Sequence, residues 1–208
     1  MTGFFISLEG IEGSGKSLSV NYLAQKLSAY NLPTLITREP GGTKFGEQIR
    51  EILLHKTEQI NCNAELLLMF AARAQHLSQI IIPALNAGKI VICDRFIDST
   101  YAYQGAGRNI NLNIIGNLEQ MFISNIPNLT LLFDVEVTEG LKRAKKRSKP
   151  DRFERENIDF FQHVRFAYLE RAKLEPNRIK IIDSNKSLAN VHTQLDALII
   201  PIAKKLNS

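Results

Sequence analysis

The sequence predicts an α/β domain: a five-stranded parallel sheet flanked by helices, three layers in all. Three observations point there. Five short apolar runs recur along the 208 residues, amphipathic stretches separate them, and one glycine-rich loop joins the first run to the first helix. Hydrophobic residues make up 44% and charged residues 23%, a globular composition long enough to bury a core within one domain spanning residues 1–208.

The elements follow in order. Residues 4–9 (FFISLE) read as the first strand, and 17–30 as a helix with Val20, Leu23, Ala24 and Leu27 on one face. Strands follow at 34–37, 89–94, 129–135 and 179–183. They are apolar on both faces, as in a covered parallel sheet. Helices are expected at 45–55, 63–85, 111–123, 136–147, 156–173 and 187–206. The NAG at 86–88 stops one helix, and Pro127 marks the turn into the fourth strand.

The glycine-rich loop is the strongest chemical signal. GIEGSGKS at 10–17 fits G-x-x-x-x-G-K-[ST], and it lies between a strand and a helix as a P-loop must. Small residues let backbone N–H groups of Gly10, Ile11, Glu12, Gly13, Ser14 and Gly15 turn toward a phosphate. Lys16 adds a point charge, and the Ser17 hydroxyl suits Mg²⁺ on the phosphates. The fold is therefore expected to be that of the P-loop NTPases. In such sheets ligands gather beyond the strands' carboxyl ends. REPGGT (38–43), DRF (94–96) and DSNKS (183–187) follow the second, third and fifth strands there.

The net charge of +5 is concentrated. Residues 142–155 (KRAKKRSKPDRFER) hold eight Lys/Arg against two Asp/Glu, a local +6 that leaves the rest of the chain at −1. A nuclear-import or RNA-binding tract and a plain solvated helix face are the other readings. Beside an NTP, a basic lid that clamps phosphate explains the segment better. No aromatic-interleaved basic sheet accompanies it, so nucleic acid is not an expected partner. No apolar run reaches a membrane span and no basic-then-apolar leader opens the chain, so no membrane partner is expected. Cys62 and Cys93 are far apart and fit a reduced cytoplasmic setting.

Seven pieces in order, EGIEGSGKS, TREPGGT, ELLLMFAARAQH, CDRF, STYAYQG, KR…DRFE and IIDSNKS, resemble the thymidylate kinases of bacterial type, within the P-loop nucleoside monophosphate kinases. They span Glu9 to Ser187. The resemblance implies transfer of phosphate from ATP, with Mg²⁺, to dTMP, giving dTDP on the way to dTTP. It implies that Lys16 holds the β- and γ-phosphates and that Arg95 bridges donor and acceptor phosphates. Asp94 would hold the metal through water or orient Arg95, and Arg38 would grip the acceptor phosphate. Arg73 would bond the thymine O4 edge, Thr100 and Gln104 would read the base, and Tyr103 would crowd C2′. The thymine wall would fall at Phe70, with Met69 as the other position on the face of Arg73. Glu12 would accept a hydrogen bond from the sugar 3′-hydroxyl.

Some members of that family carry a basic residue after the P-loop acid. Here the position is Gly13, so the missing cation is expected from the lid, at Arg152 in DRFE first, or at Arg147 or Lys149. Arg143 would lie over the adenine. The resemblance also implies a homodimer built through helices that include 63–85. Two competing classes stay open on residues alone. One is a P-loop kinase for a different base, which Arg73, Tyr103 and Gln104 disfavour. The other is an NTP-dependent switch, but Asn185–Lys186 is followed by Ser187 and Leu188 where a guanine-reading motif needs its acid.

Overall fold

The computed structural model describes residues 3–55, 59–147 and 151–207, and of Arg147 the backbone alone. Strands β1 (Phe4–Glu9), β2 (Thr34–Arg38), β3 (Ile90–Asp94), β4 (Leu129–Asp134) and β5 (Ile179–Asp183) form a parallel sheet in the order β2-β3-β1-β4-β5. Leu8 stands opposite Asp94 in the β1–β3 ladder, and the Leu8 carbonyl accepts from the Arg95 N–H at 2.9 Å. That register brings the start of the P-loop level with the DRF turn.

Strand periodicity divides the core. Ile6 and Leu8 point to one face, where α1 (Lys16–Ser28) and α9 (Leu188–Asn207) supply Leu23, Leu27, Leu195 and Ile199. Phe5, Val91 and Cys93 point to the other, against Phe70 of α3 (Cys62–His76) and Phe96. Leu132 meets Phe161, Val164 and Tyr168 of α8 (Ile158–Leu174) there. The edge strands are less covered than their apolar sequences suggest: Ile36 and Ile181 are half-exposed.

The remaining helices fall within a few residues of expectation. Thr43 caps α2 (Lys44–Leu54), accepting from the Gly46 N–H at 2.9 Å. The helix expected at 63–85 runs from Cys62 to Asn86, but its register changes: α3 passes through a π-helical turn, Leu77–Ile81, into α4 (Ile82–Asn86). Pro83 supplies the reason, since its ring would clash with a carbonyl one α-turn back and the wider turn relieves this. The run is long and apolar enough to cross a membrane by length and composition, contrary to expectation. In this fold its Glu65, Arg73 and His76 are buried and hydrogen-bonded inside the protein. STYAYQG is helical: α5 (Ile97–Thr100) continues as a π-helical turn, Tyr101–Gly107. Then come α6 (Leu112–Phe122), α7 (Val137–Arg147) and a 3₁₀ turn, Phe153–Arg155. Lys149 and the side chain of Arg147 lie outside the described residues.

Candidate functional site

The P-loop opens into a cleft lined by Glu12, Gly13, Ser14, Gly15, Lys16 and Ser17. Gly10 and Ile11, expected to cradle phosphate, do not line it. Ile11 is buried in the core, and the two carbonyl oxygens instead hold Lys16 Nζ at 2.8 and 2.9 Å. Ser14 Oγ lies 3.2 Å from the same nitrogen. These oxygens occupy the ammonium where phosphate oxygens would. Burial, with repulsion from Arg95, pushes the Lys16 pKa down to about 8. Gly13 has φ +69, and a Cβ there would run into the carbonyl oxygen of Gly140 at the start of α7. The loop therefore has no room for a basic side chain at that position.

Asp94 and Arg95 stand at the end of β3, with Asp94 in the cleft. Asp94 Oδ1 is buried and has no hydrogen-bond partner among the described residues. No group of three His, Cys, Asp or Glu side chains is placed to hold a metal among the described residues. Asp94, with one carboxylate oxygen unpaired, and the exposed Ser17 line the same cleft, a pair of oxygen donors that fits Mg²⁺, which keeps most of its waters and shares phosphate oxygens. Arg143 and Ser184 line the far side of the cleft, and Arg143 donates to the Ser184 carbonyl at 2.9 Å.

A second pocket adjoins the first. Glu12, Arg50, Arg95 and Asp151 line both. Arg95 donates to Glu12 at 2.8 Å and to the Tyr103 hydroxyl at 3.1 Å, and its other nitrogen reaches Ser99 and Tyr168 at 3.3 Å. Tyr103 donates to both Glu12 oxygens, at 2.8 and 2.7 Å. Arg38 lines the P-loop cleft only, paired with Glu47 at 3.0 Å on an exposed edge.

Deeper in, Arg73, Thr100 and Gln104 line the second pocket. Arg73 is 2% exposed and donates to Glu39 at 2.6 Å, to Thr100 at 3.0 Å and to the Phe96 carbonyl at 3.1 Å. Three of its five N–H groups are thus spoken for. Phe70 does not line the pocket. Its ring is buried in the core beneath Arg73, whose guanidinium lies 5.5 Å above it, and Met69 takes the wall. Arg152, expected to supply the lid cation, is engaged elsewhere in this structure. It lines neither pocket, donating instead to Leu53 O at 2.7 Å and Glu65 at 2.6 Å, because a buried carboxylate there needs a cation.

Several residues went unassigned from sequence. Glu9, at the end of β1, accepts from Phe96 N at 2.7 Å, Ser99 at 2.6 Å and Tyr168 at 2.9 Å, pinning the DRF turn. Burial, with the charge of Asp98, pushes its pKa up to about 7. Arg50 reaches the junction from α2 and donates to the Pro40 carbonyl at 2.9 Å. Glu39 joins Arg73 to His76, whose Nδ1 lies 3.0 Å away, and His76 Nε2 lies 2.6 Å from Thr37 Oγ1. A signal existed for part of this set. Glu65 and His76 are ionisable residues within a mostly apolar helical run, spaced to share one face with the assigned Arg73.

Where a triphosphate cleft and a polar-floored pocket meet, guanidiniums stand in place of a wall. That is the build of a P-loop phosphotransferase with a small anionic acceptor. The chain belongs to the thymidylate kinase family, whose family model matches residues 8–195. It is 52% identical over 201 residues to a thymidylate kinase of Pseudomonas syringae pv. tomato, covering 96% of each chain. It is 49% identical over 207 residues to one from Pseudomonas putida, covering 99% of each. The crystal structure of thymidylate kinase from Ehrlichia chaffeensis superimposes with a TM-score of 0.80 at 34% identity, over 96% of this chain and 100% of that one.

Proposed function

We infer that this chain transfers the γ-phosphoryl group of ATP to dTMP, giving ADP and dTDP, a step toward dTTP. The observation that carries the reading is the junction: Glu12, Arg50 and Arg95 belong to the P-loop cleft and to the base pocket at once. An acceptor phosphate placed there meets the donor's γ-phosphate across cations, which offset their repulsion. The attacking oxygen belongs to a phosphate monoester that is mostly dianionic at neutral pH, so no protein base is required. It forms a bond to the γ-phosphorus, and the bond to the β,γ-bridging oxygen breaks. Lys16 leaves the Gly10 and Ile11 carbonyls for the β- and γ-phosphates. Arg95 bridges donor and acceptor, while Arg38 and Arg50 hold the acceptor phosphate. Ser17 and Asp94, the latter through water, would hold Mg²⁺, which would supply positive charge beside the phosphates. Arg143 covers the adenine, Arg73, Thr100 and Gln104 read the thymine, and Tyr103 crowds C2′. The lid cation is Arg147, one helical turn beyond Arg143 on the same face.

Residues 1–208 work as one kinase domain in the cytoplasm, where both free cysteines stay reduced. Two copies associate through a face that includes α3 and α6, where Leu67, Ile114, Met121 and Phe122 are exposed. A coupled ADP-release assay across nucleoside monophosphates tests the activity: dTMP is preferred, and Lys16→Ala loses several orders of magnitude in kcat while remaining folded. Preference for another base, or near-normal turnover in that variant, overturns the reading.

A further inference from the structure

Glu65 is fully buried in the first turn of α3. Its carboxylate gathers three side chains from distant parts of the chain. Gln104 Nε2 donates to Oε1 at 2.8 Å, Arg108 Nε lies 3.4 Å from the same oxygen, and Arg152 donates to Oε2 at 2.6 Å. Two guanidiniums pair with the carboxylate, and a carboxylate accepts hydrogen bonds only. The end of the Gln104 amide that meets it must therefore be the NH₂. The amide cannot flip without setting oxygen against oxygen. Its carbonyl oxygen is the end left over, in a residue that lines the base pocket. The same carboxylate anchors Arg152, whose neighbours Asp151 and Phe153 form part of the pocket wall.

We propose that Glu65 is a positioning residue for base selection: by locking the Gln104 amide it presents an acceptor to the pocket, so the site takes a pyrimidine carrying N3–H and rejects one whose N3 is a lone pair. Thymine has the N–H; cytosine has the lone pair. The inference rests on the reading that this pocket holds the acceptor's base.

The test is kcat/KM for dTMP and dCMP in wild type, Glu65→Gln and Glu65→Asp. Glu65→Gln keeps the shape but can meet Gln104 with either end of its own amide. Glu65→Asp keeps a carboxylate between the guanidiniums but draws it back by one methylene, breaking the 2.8 Å contact to Gln104. In both, the dTMP-to-dCMP ratio falls at least about tenfold, through KM for dTMP, while KM for ATP holds. Adding either change to Gln104→Leu narrows the ratio no further. A ratio unchanged in a folded Glu65→Asp protein, whatever its melting temperature, overturns the proposal. So does equal loss with both acceptors. A wild type with no preference for dTMP instead overturns the pocket reading beneath it.

Discussion

Glu12→Ala separates two jobs that the structure gives one carboxylate. Glu12 holds Arg95 at 2.8 Å and both its oxygens receive the Tyr103 hydroxyl. A carboxylate has about four lone-pair sites, so room remains for a sugar hydroxyl. The Arg95 pair is partly exposed, 20% and 11%, and Arg95 keeps contacts to Ser99, Tyr103 and Tyr168 without it. Its loss is therefore worth about 1 kcal/mol, or about 5-fold in rate. A hydroxyl donating to a charged acceptor adds about 1.5–3 kcal/mol. The two together give about 70- to 900-fold. With dTMP, kcat/KM of Glu12→Ala should fall by that combined factor. With 3′-deoxy-dTMP, which has no hydroxyl to donate, only the smaller loss remains. Steady-state assays with both acceptors decide it. Equal losses would refute the hydroxyl contact and leave Glu12 as a support for Arg95 alone.

Further outcomes follow from the same geometry. Lys16 has a folded pKa of about 8, below its usual 10.5, so the empty loop sheds a proton as pH rises past 8 and ATP restores the charge. ATP binding near pH 8 should take up a proton and weaken above it; calorimetric enthalpies identical across buffers of different ionisation heat at pH 8 would contradict this. Phe70→Ala should cost about 3–5 kcal/mol in urea unfolding with KM for dTMP little changed. Met69→Phe should lower that KM about 2- to 10-fold by stacking; the reverse pattern would place Phe70 in the pocket after all. Gly13→Ala pays about 1–2 kcal/mol for its left-handed backbone as well as the Gly140 contact. It should raise KM for ATP more than KM for dTMP, and unchanged kinetics would show that α7 yields readily.

Local pattern carried the scaffold into view. The P-loop is legible because its spacing, strand and helix are contiguous, and the strand ends are legible because they follow apolar runs. The failures are non-local. Met69 and Phe70 lie about 40° and 60° to either side of Arg73 around the helix, so periodicity admits both. Which one faces the pocket is settled by the core under α3, where Phe96 and Phe70 both pack against Arg73. Arg152 sits in a motif whose sequence says nothing about direction. Glu65, 87 residues earlier in the chain, turns it away from the phosphates. Glu9 and Glu39 were visible as charges at strand ends, but their roles depend on partners brought in from α3, α8 and the DRF turn.

The contact between Gly13 and Gly140 bears on what position 13 can hold. Each backbone fills the space a side chain would need at the other: a Cβ on Gly140 would meet the Glu12 carbonyl oxygen at 2.8 Å. A basic side chain at position 13 would meet main chain, which no change of rotamer relieves. The start of α7 has to shift first, and that shift alone brings no catalytic charge. In this chain a cation at position 13 and the present seat of α7 are thus mutually exclusive, coupled through main chain and not through side chains.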